Sequence, residues 1–330
     1  MKVLLPLAAV LFAAAPLLAQ APPRAADAAT ATVQSFRERP QVPPQFRINA
    51  SQTAPELYPG ESADVGPQYL LLQQMMRRSW VEGALDVQYY YTSNALLTER
   101  DKIDTGLLVT TAWAAFAPTP FALGDGQLAI RAGYREQMFN YGLDSTANQL
   151  NNFDFDVATV FAGARWLWRE QWIFALGAEY NRYLSHESDW NEFYTELLLA
   201  WGVERVLSFS ERTQISLGYA GGHHFTHTDP IPVSDVNDRL DTAFTLTVTQ
   251  EILPRLLLQP YYRFQVTHYT QSGDRTDLFH TLGVSLSYLF TEWASVRVFT
   301  SWEIRNSDDD AVQDFQNLNA GGGVSFVVRF

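Results

Sequence analysis

Cysteine is absent from the 330-residue chain. That excludes disulfides, thiolate metal sites and a thiol nucleophile. An excess of positive charge is absent as well. The formal net charge is −13 and no basic stripe occurs, so a nucleic-acid partner has no face to meet. Beyond the opening residues, no apolar run approaches the roughly 20 residues that a membrane-spanning helix needs. No glycine-rich phosphate loop or dinucleotide fingerprint is found. Gly221–Gly222 and Gly321–Gly323 fall inside strand patterns, where glycine admits a bend or a close approach. Aromatic residues, by contrast, are plentiful at 14% of the chain.

The opening MKVLLPLAAVLFAAAPLLAQA sets Lys2 ahead of an apolar run, with small residues at Ala19 and Ala21. It reads as a secretory signal peptide over residues 1–19, and export of the remainder is expected. Residues 20–66 carry prolines at 22, 23, 40, 43, 44, 55 and 59 and read as extended or disordered. In the following DVGPQYLLLQQMMRRSW, Asp64 can cap and Pro67 suits a first turn. Tyr69, Leu72, Met76 and Trp80 share one helical face, so a short amphipathic helix is expected. Residues 20–80 thus form a proline-rich extension, a candidate plug for the domain that follows or a handle for a periplasmic partner.

From about residue 81 the period becomes two. Leu85, Val87, Tyr89 and Tyr91 alternate with Asp86, Gln88, Tyr90 and Thr92, and similar stretches recur to the last residue. About twelve strands of 10 to 15 residues are expected, long enough for the 9 to 11 residues of a tilted strand crossing a bilayer. Prolines sit at breaks, except Pro260. Short connections fall near 124–125, 169–170, 211–212, 254 and 291–292. Long ones fall near 95–103, 142–152, 185–191, 226–238, 271–276 and 306–315. The expectation is an all-β fold: a twelve-stranded antiparallel transmembrane β-barrel over residues 81–330, with both termini on the short-turn side, in the periplasm. Trp113, Phe116, Trp166, Trp168, Trp172, Phe290 and Trp293 are expected near the short turns. Tyr89, Tyr91, Tyr180, Tyr183, Phe225, Tyr269 and Trp302 are expected toward the long loops, giving two aromatic belts.

The ending GGGVSFVVRF closes on Phe330, with Val328 and Phe326 two and four positions earlier and Gly323 upstream. It resembles the C-terminal signal of bacterial outer-membrane β-barrel proteins. The resemblance implies that the barrel assembly machinery reads this strand and that outer-membrane lipid surrounds the barrel. The chain looks most like the porin-like members of that class.

Strand parity assigns Arg131, Arg135, Glu179, Glu196, Glu204, Asp241, Arg263, Arg297 and Glu303 to the lumen, together with Asp86, Asp154, Asp156 and Arg305. A charge facing lipid costs about 2 to 4 kcal/mol at midplane. The function read from this pattern is passive or weakly selective diffusion of small solutes through a polar pore. A structural or export accessory barrel is the alternative.

A third reading is a surface hydrolase. His186 and Ser188 resemble the His-x-Ser pair of outer-membrane phospholipase A and would face outward, but Asp189-Trp190 follows where that family has Asn-Gly. His223, His224 and His227 have spacing that suits a metal, yet His223 and His224 point to opposite faces, so a solvated loop is expected. Asp308, Asp309, Asp310 and Asp314 lack the alternating ligands and glycine of a calcium loop. No cofactor and no metal are expected.

Overall fold

A computed structural model describes residues 29–30, 80–142, 150, 153–186, 190–228, 237–271, 275–291, 293–310 and 312–330. The leader, Tyr69, Leu72, Met76 and Ser188 lie outside these residues. The strands are β1 (Val81–Thr92), β2 (Thr105–Phe116), a stub β3 (Phe121–Leu123), β4 (Gly126–Tyr141), β5 (Phe155–Trp168), β6 (Trp172–Ser185), β7 (Glu192–Ser210), β8 (Thr213–Thr228), β9 (Arg239–Leu253), β10 (Leu256–Tyr269), β11 (Thr276–Leu289), β12 (Ala294–Ser307) and β13 (Phe315–Arg329). Every neighbouring pair is antiparallel. β2 pairs with both β1 and β4, and β1 pairs with β13. The sheet therefore closes on itself as a barrel of twelve strands, with β3 appended at its rim. No helix among the described residues is long and apolar enough to cross a membrane, and closure in strands meets the same need by pairing the backbone groups between strands.

Alternation sorts the two faces. On β1, Asp86, Gln88 and Tyr90 are buried while Leu85, Val87 and Tyr89 are exposed. The outer wall carries Leu176, Val160, Leu282 and Val298, each more than half exposed. Short turns gather at one end and long loops at the other. The β5–β6 turn uses Arg169 (φ 49°) and Glu170 (φ 59°), a left-handed pair usually given to Asn-Gly. Arg169 stacks on Trp168 at 4.6 Å. Pro260 faces outward on β10, where the β9–β10 ladder steps from Leu258↔Gln250 to Tyr261↔Thr247, so its missing N–H interrupts little.

The aromatic belt at the short-turn end includes Trp166, Trp172 and Phe174, with ring centroids 5.5 to 6.5 Å apart. Trp80 meets Phe116 at 5.7 Å, and Trp293 meets Phe326 at 6.1 Å. At the long-loop end Tyr89, Tyr91, Tyr180, Phe225 and Trp302 are exposed on the outer wall. Three aromatics expected in the belts face the lumen instead. Trp113 lies beneath Arg131 at 4.0 Å, Tyr269 beneath Arg275 at 4.1 Å, and Tyr183 is fully buried. Tyr183 joins an inward apolar cluster at the long-loop end that includes Phe139, Phe155, Phe193, Tyr194 and Tyr90, and Phe139 stacks on Phe155 at 4.5 Å.

The ending is explained by closure. Phe330 N–H donates to Val81 O (2.8 Å), and Trp80 N–H donates to Phe330 O (2.8 Å). Phe326, Val328 and Phe330 lie exposed on the outer wall. Gly321 and Gly323 face the lumen, where Tyr90 and Gln88 lean across them. A Cβ at Gly321 would stand 2.3 Å from Tyr90 Cβ and 2.3 Å from Tyr89 O. One at Gly177 would meet nothing nearer than 3.4 Å. Gly321→Ala is therefore expected to cost about 1 to 3 kcal/mol and Gly177→Ala less than about 0.5 kcal/mol. Urea midpoints of heat-modifiable gel mobility measure both.

Candidate functional site: the lumen

The inward side chains form three zones along the barrel. Toward the short turns lies a charged ring. Arg131 Nε meets Glu82 Oε1 at 2.9 Å, and Arg165 Nη2 meets Glu204 Oε2 at 3.6 Å. These side chains remain a third or more exposed, apart from Glu82.

Next comes a hydrogen-bonded girdle. Arg135 Nη2 pairs with Glu179 Oε2 at 2.6 Å and reaches Thr159 Oγ1 at 3.5 Å. Thr159 donates to Asn181 Oδ1 (2.8 Å), and Asn181 Nδ2 donates to Glu196 Oε2 (3.0 Å). Glu196 Oε1 meets His224 Nδ1 at 2.6 Å and accepts from Arg239 Nη2 at 3.2 Å. Asp241 Oδ2 lies 3.3 Å from His224 Nε2 and 3.5 Å from Arg239 Nε. It also accepts from Gln265 Nε2 at 3.1 Å. The chain crosses β4 to β10 without a break. It works because each strand turns a polar residue inward at that height and the partners differ in sign. His224 is the inward member of the histidine group, while His223 stacks on Phe225 outside at 4.2 Å. No group of three or more metal ligands occurs among the described residues.

Above the girdle, at the long-loop end, the lumen is apolar along β4 to β7, while Arg275 and Asp277, both fully buried, pair on the β11 side. Ala29 packs against that cluster and shares a small cavity with Tyr90, Thr92, Asn94, Leu107, Glu303 and Asn319. Thr30 is buried beside it. These two residues, from a stretch that reads as extended, stand inside the barrel.

One side of the lumen has almost no side chains. The registers align Gly163, Gly177, Ala200 and Gly222 in one row, and Ala175, Gly202, Ala220 and Ala243 in the next. This smooth wall, on β5 to β9, is what individual strand patterns hide, because the rows appear only once register is known. Facing it from β10 to β12 are Arg263, Arg297 and Glu303. Arg263 and Glu303 share a row through Thr281.

The register sets Arg131, Arg135, Glu179, Glu196, Glu204, Asp241, Arg263, Arg297 and Glu303 on one face of the sheet, the face that also carries Asp86, Gln88 and Tyr90. Asp156 is not on that face. Its strand places it with Val160, 59% exposed, on the outer wall. The reason is local inversion: Phe155 and Val157 fill the apolar cluster inside, so the polar residues between them go out. There Asp156 Oδ1 meets His186 Nε2 at 2.8 Å. Asp154, in the preceding loop, accepts from Tyr141 N at 2.7 Å. Burial raises its carboxyl pKa, opposed by that N–H and by His186. His186 thus has an acidic partner on a neighbouring strand, while Ser188 lies outside the described residues.

No family model and none of the curated proteins match the chain. Among solved structures, an outer membrane channel of Pseudomonas putida F1 superimposes with a TM-score of 0.52 at 10% identity, covering 77% of this chain and 97% of that one. A bacterial polysaccharide outer membrane secretin shares 12% identity over 75% of this chain and 98% of its own, with a TM-score of 0.46. A KdgM porin shares 10% over 74% and 98%, with a TM-score of 0.37. The fold is that of the bacterial outer-membrane β-barrel proteins.

The girdle is almost dry: the side chains of Glu196 and Arg239 are 3% and 9% exposed. Arg239→Gln removes a cation from between two buried carboxylates and is expected to cost about 3 to 5 kcal/mol of stability. Arg169→Gln breaks an exposed pair with Asp125 at 3.5 Å and is expected to cost less than about 1 kcal/mol. Denaturant titrations in one detergent compare the two.

Proposed function

We propose that the chain is an outer-membrane channel for passive or weakly selective diffusion of small solutes. The observation that carries this reading is the division of the lumen. A wall of glycine and alanine on β5 to β9 shares the lumen with charged side chains on β4 and β10 to β12, and in this reading the solute path runs along the smooth side. The walls of filled barrels instead interdigitate large side chains. Guanidinium and carboxylate groups alternate around this lumen in near balance, which suits weak selectivity rather than a strong preference for one ion.

In this reading the long loops are extracellular and both chain ends periplasmic. The strand ending at Phe330 is the element that the assembly machinery adds to the growing sheet edge. Residues 1–19 form the leader and residues 20–80 the periplasmic extension. Ala29 and Thr30, set in the lumen, make that extension a partial plug.

Single-channel recording of the purified mature chain in a planar bilayer tests the reading. Discrete steps are expected. Gly177→Leu with Ala200→Leu, which fill the smooth wall, should reduce conductance by half or more. Arg131→Gln or Arg263→Gln should shift reversal potential toward cation preference. Removing residues 20–66 should raise conductance. A folded barrel that stays silent with and without residues 20–66 sinks the channel reading.

A further inference from the structure

Two points of the N-terminal extension stand at opposite ends of the barrel. Trp80 is at the short-turn end. Its N–H donates to Phe330 O, and its carbonyl accepts from Ala117 N–H, both at 2.8 Å. Ala29 is at the long-loop end. It packs against the aromatic cluster, and its cavity is lined in part by Thr92, Asn94 and Ala95, where β1 runs into the first long loop. Thr92 and Glu82 mark the two heights on β1. They lie ten residues apart, roughly 25 Å along the barrel axis at the usual rise and tilt. Residues 31–79 have to bridge that distance.

One route is open to them. Outside, the wall faces hydrocarbon. Among the described residues, the outward Asp, Glu, Lys and Arg side chains of the strands are Glu136, Asp156, Arg182 and Glu192 toward the long loops and Arg205 in the short-turn belt, with none between. A path over this wall would put Arg37, Arg39, Arg47, Glu56, Glu61 and Asp64 into lipid. It would also leave backbone groups unmet, at several kcal/mol each. A path through the lumen carries neither penalty.

The lumen also marks the side. Directly below the Ala29 cavity, Gln88, Thr111 and Gln137 face inward on β1, β2 and β4 and are fully buried. Gln88 Nε2 donates to Asp86 Oδ1 (2.6 Å), and Gln137 Nε2 donates to Thr111 Oγ1 (3.4 Å). The other end of each amide is unmet. Gln88 Oε1 and Gln137 Oε1 are buried acceptors with no hydrogen-bond partner among the described residues. Such acceptors call for a donor, and a backbone crossing here brings an N–H at nearly every residue. Across the lumen Ala220, in the glycine–alanine wall, stays exposed.

We propose that residues 31–79 thread the lumen from the long-loop mouth to the short-turn mouth along β1, β2 and β4, docked at the upper end by Ala29 in the pocket of Tyr90, Ala95 and Leu107. The occupant of that pocket is this chain itself. Donors of the thread meet Gln88 Oε1 and Gln137 Oε1. The glycine–alanine wall stays free, and for the channel reading this sets the solute path beside the thread rather than at the centre of the lumen.

The absence of cysteine makes disulfide mapping in whole cells direct. Ala29→Cys with Ala95→Cys should oxidise to an intramolecular disulfide in most molecules. Gln88→Cys, paired in turn with a cysteine at each position from 31 to 50, should link in one short window, and Ala220→Cys with the same set should not. The unmodified chain gives a second readout, free of any folding defect. Seven residues from Thr30 reach at most about 25 Å, so Arg37 stays within the lumen even at full stretch. Trypsin should cut there about a hundredfold more slowly in the folded barrel than in the urea-unfolded chain, as read by mass spectrometry. Cutting at Arg37 at equal rates overturns the proposal. So does an Ala29→Cys, Ala95→Cys pair that stays unlinked and reacts with an impermeant maleimide. Equal linking from Ala220→Cys overturns the placement along β1 to β4. Conductance enters none of these readouts, so a silent barrel that forms the disulfides defeats the channel reading and leaves the thread in place.

Discussion

The structure depends on closing one seam. Hydrocarbon offers no partner to a backbone N–H or carbonyl, so a sheet in lipid has to end where it began. Here the seam lies between β1 and β13, strands almost 240 residues apart at Asp86 and Ser325. Its ladder runs unbroken from Glu82↔Arg329 to Thr92↔Asn319. The lumen side is stitched as well. Arg329 pairs with Glu82 at 3.2 Å, Ser325 donates to Asp86, and Thr92 donates to Asn317 at 3.0 Å. The glycines at 321 and 323 belong to the same requirement, since Tyr90 and Gln88 occupy the space their side chains would take. One stretch thus serves pairing, lumen packing and the outer belt at once.

Closure then sets the electrostatics. With lipid outside, charge has to turn inward, and in a confined space it has to find an opposite charge. The girdle from Arg135 to Gln265 is the outcome. Its buried members would each carry a desolvation penalty that only neighbours can offset. The smooth wall beside it follows the same logic from the other direction. Where no charge is needed, glycine and alanine leave room.

Much of this was legible in the sequence, for a definite reason. A wall with lipid on one side and polar groups on the other writes a period of two into every strand, so strand number, turns and lumen residues could be read locally. Phe330 was legible as a strand end because its alternation continues to the last residue. Four placements were not. Asp156 and Tyr183 flank the apolar part of the lumen, and Trp113 and Tyr269 stack under inward arginines, so the rule "polar in, apolar out" loses its phase. The partnership of His186 with Asp156 and the rows of small residues needed register, which here couples residues 14 to 30 positions apart. The signal lay in the sequence only as scattered alanines and glycines.

The inversion at Asp156 also works as a ruler. On β5 to β7 the row containing Val157, Tyr183 and Tyr194 is apolar inside, while the neighbouring rows are ionic outside. A sheet immersed in hydrocarbon cannot hold that pattern cheaply, whereas a sheet beyond it must, because water now lies outside and the core inside. The changeover falls within one row of Tyr134 and Tyr180, the same height at which the tyrosine belt places the membrane boundary. Two independent signals, ring placement and charge placement, therefore agree on where the hydrocarbon stops. β4 to β7 carry their pairing past that line, so at headgroup level this side of the barrel presents a rigid, charged wall on regular strands. The opposite side, β10 to β13, reaches the same height with Tyr262, His280, Trp302 and Leu318 outward and, among the described residues, no outward fixed charge on its strands. The barrel is thus two-faced at its rim, and its polar face lies on the strands that fill their own lumen with aromatic rings.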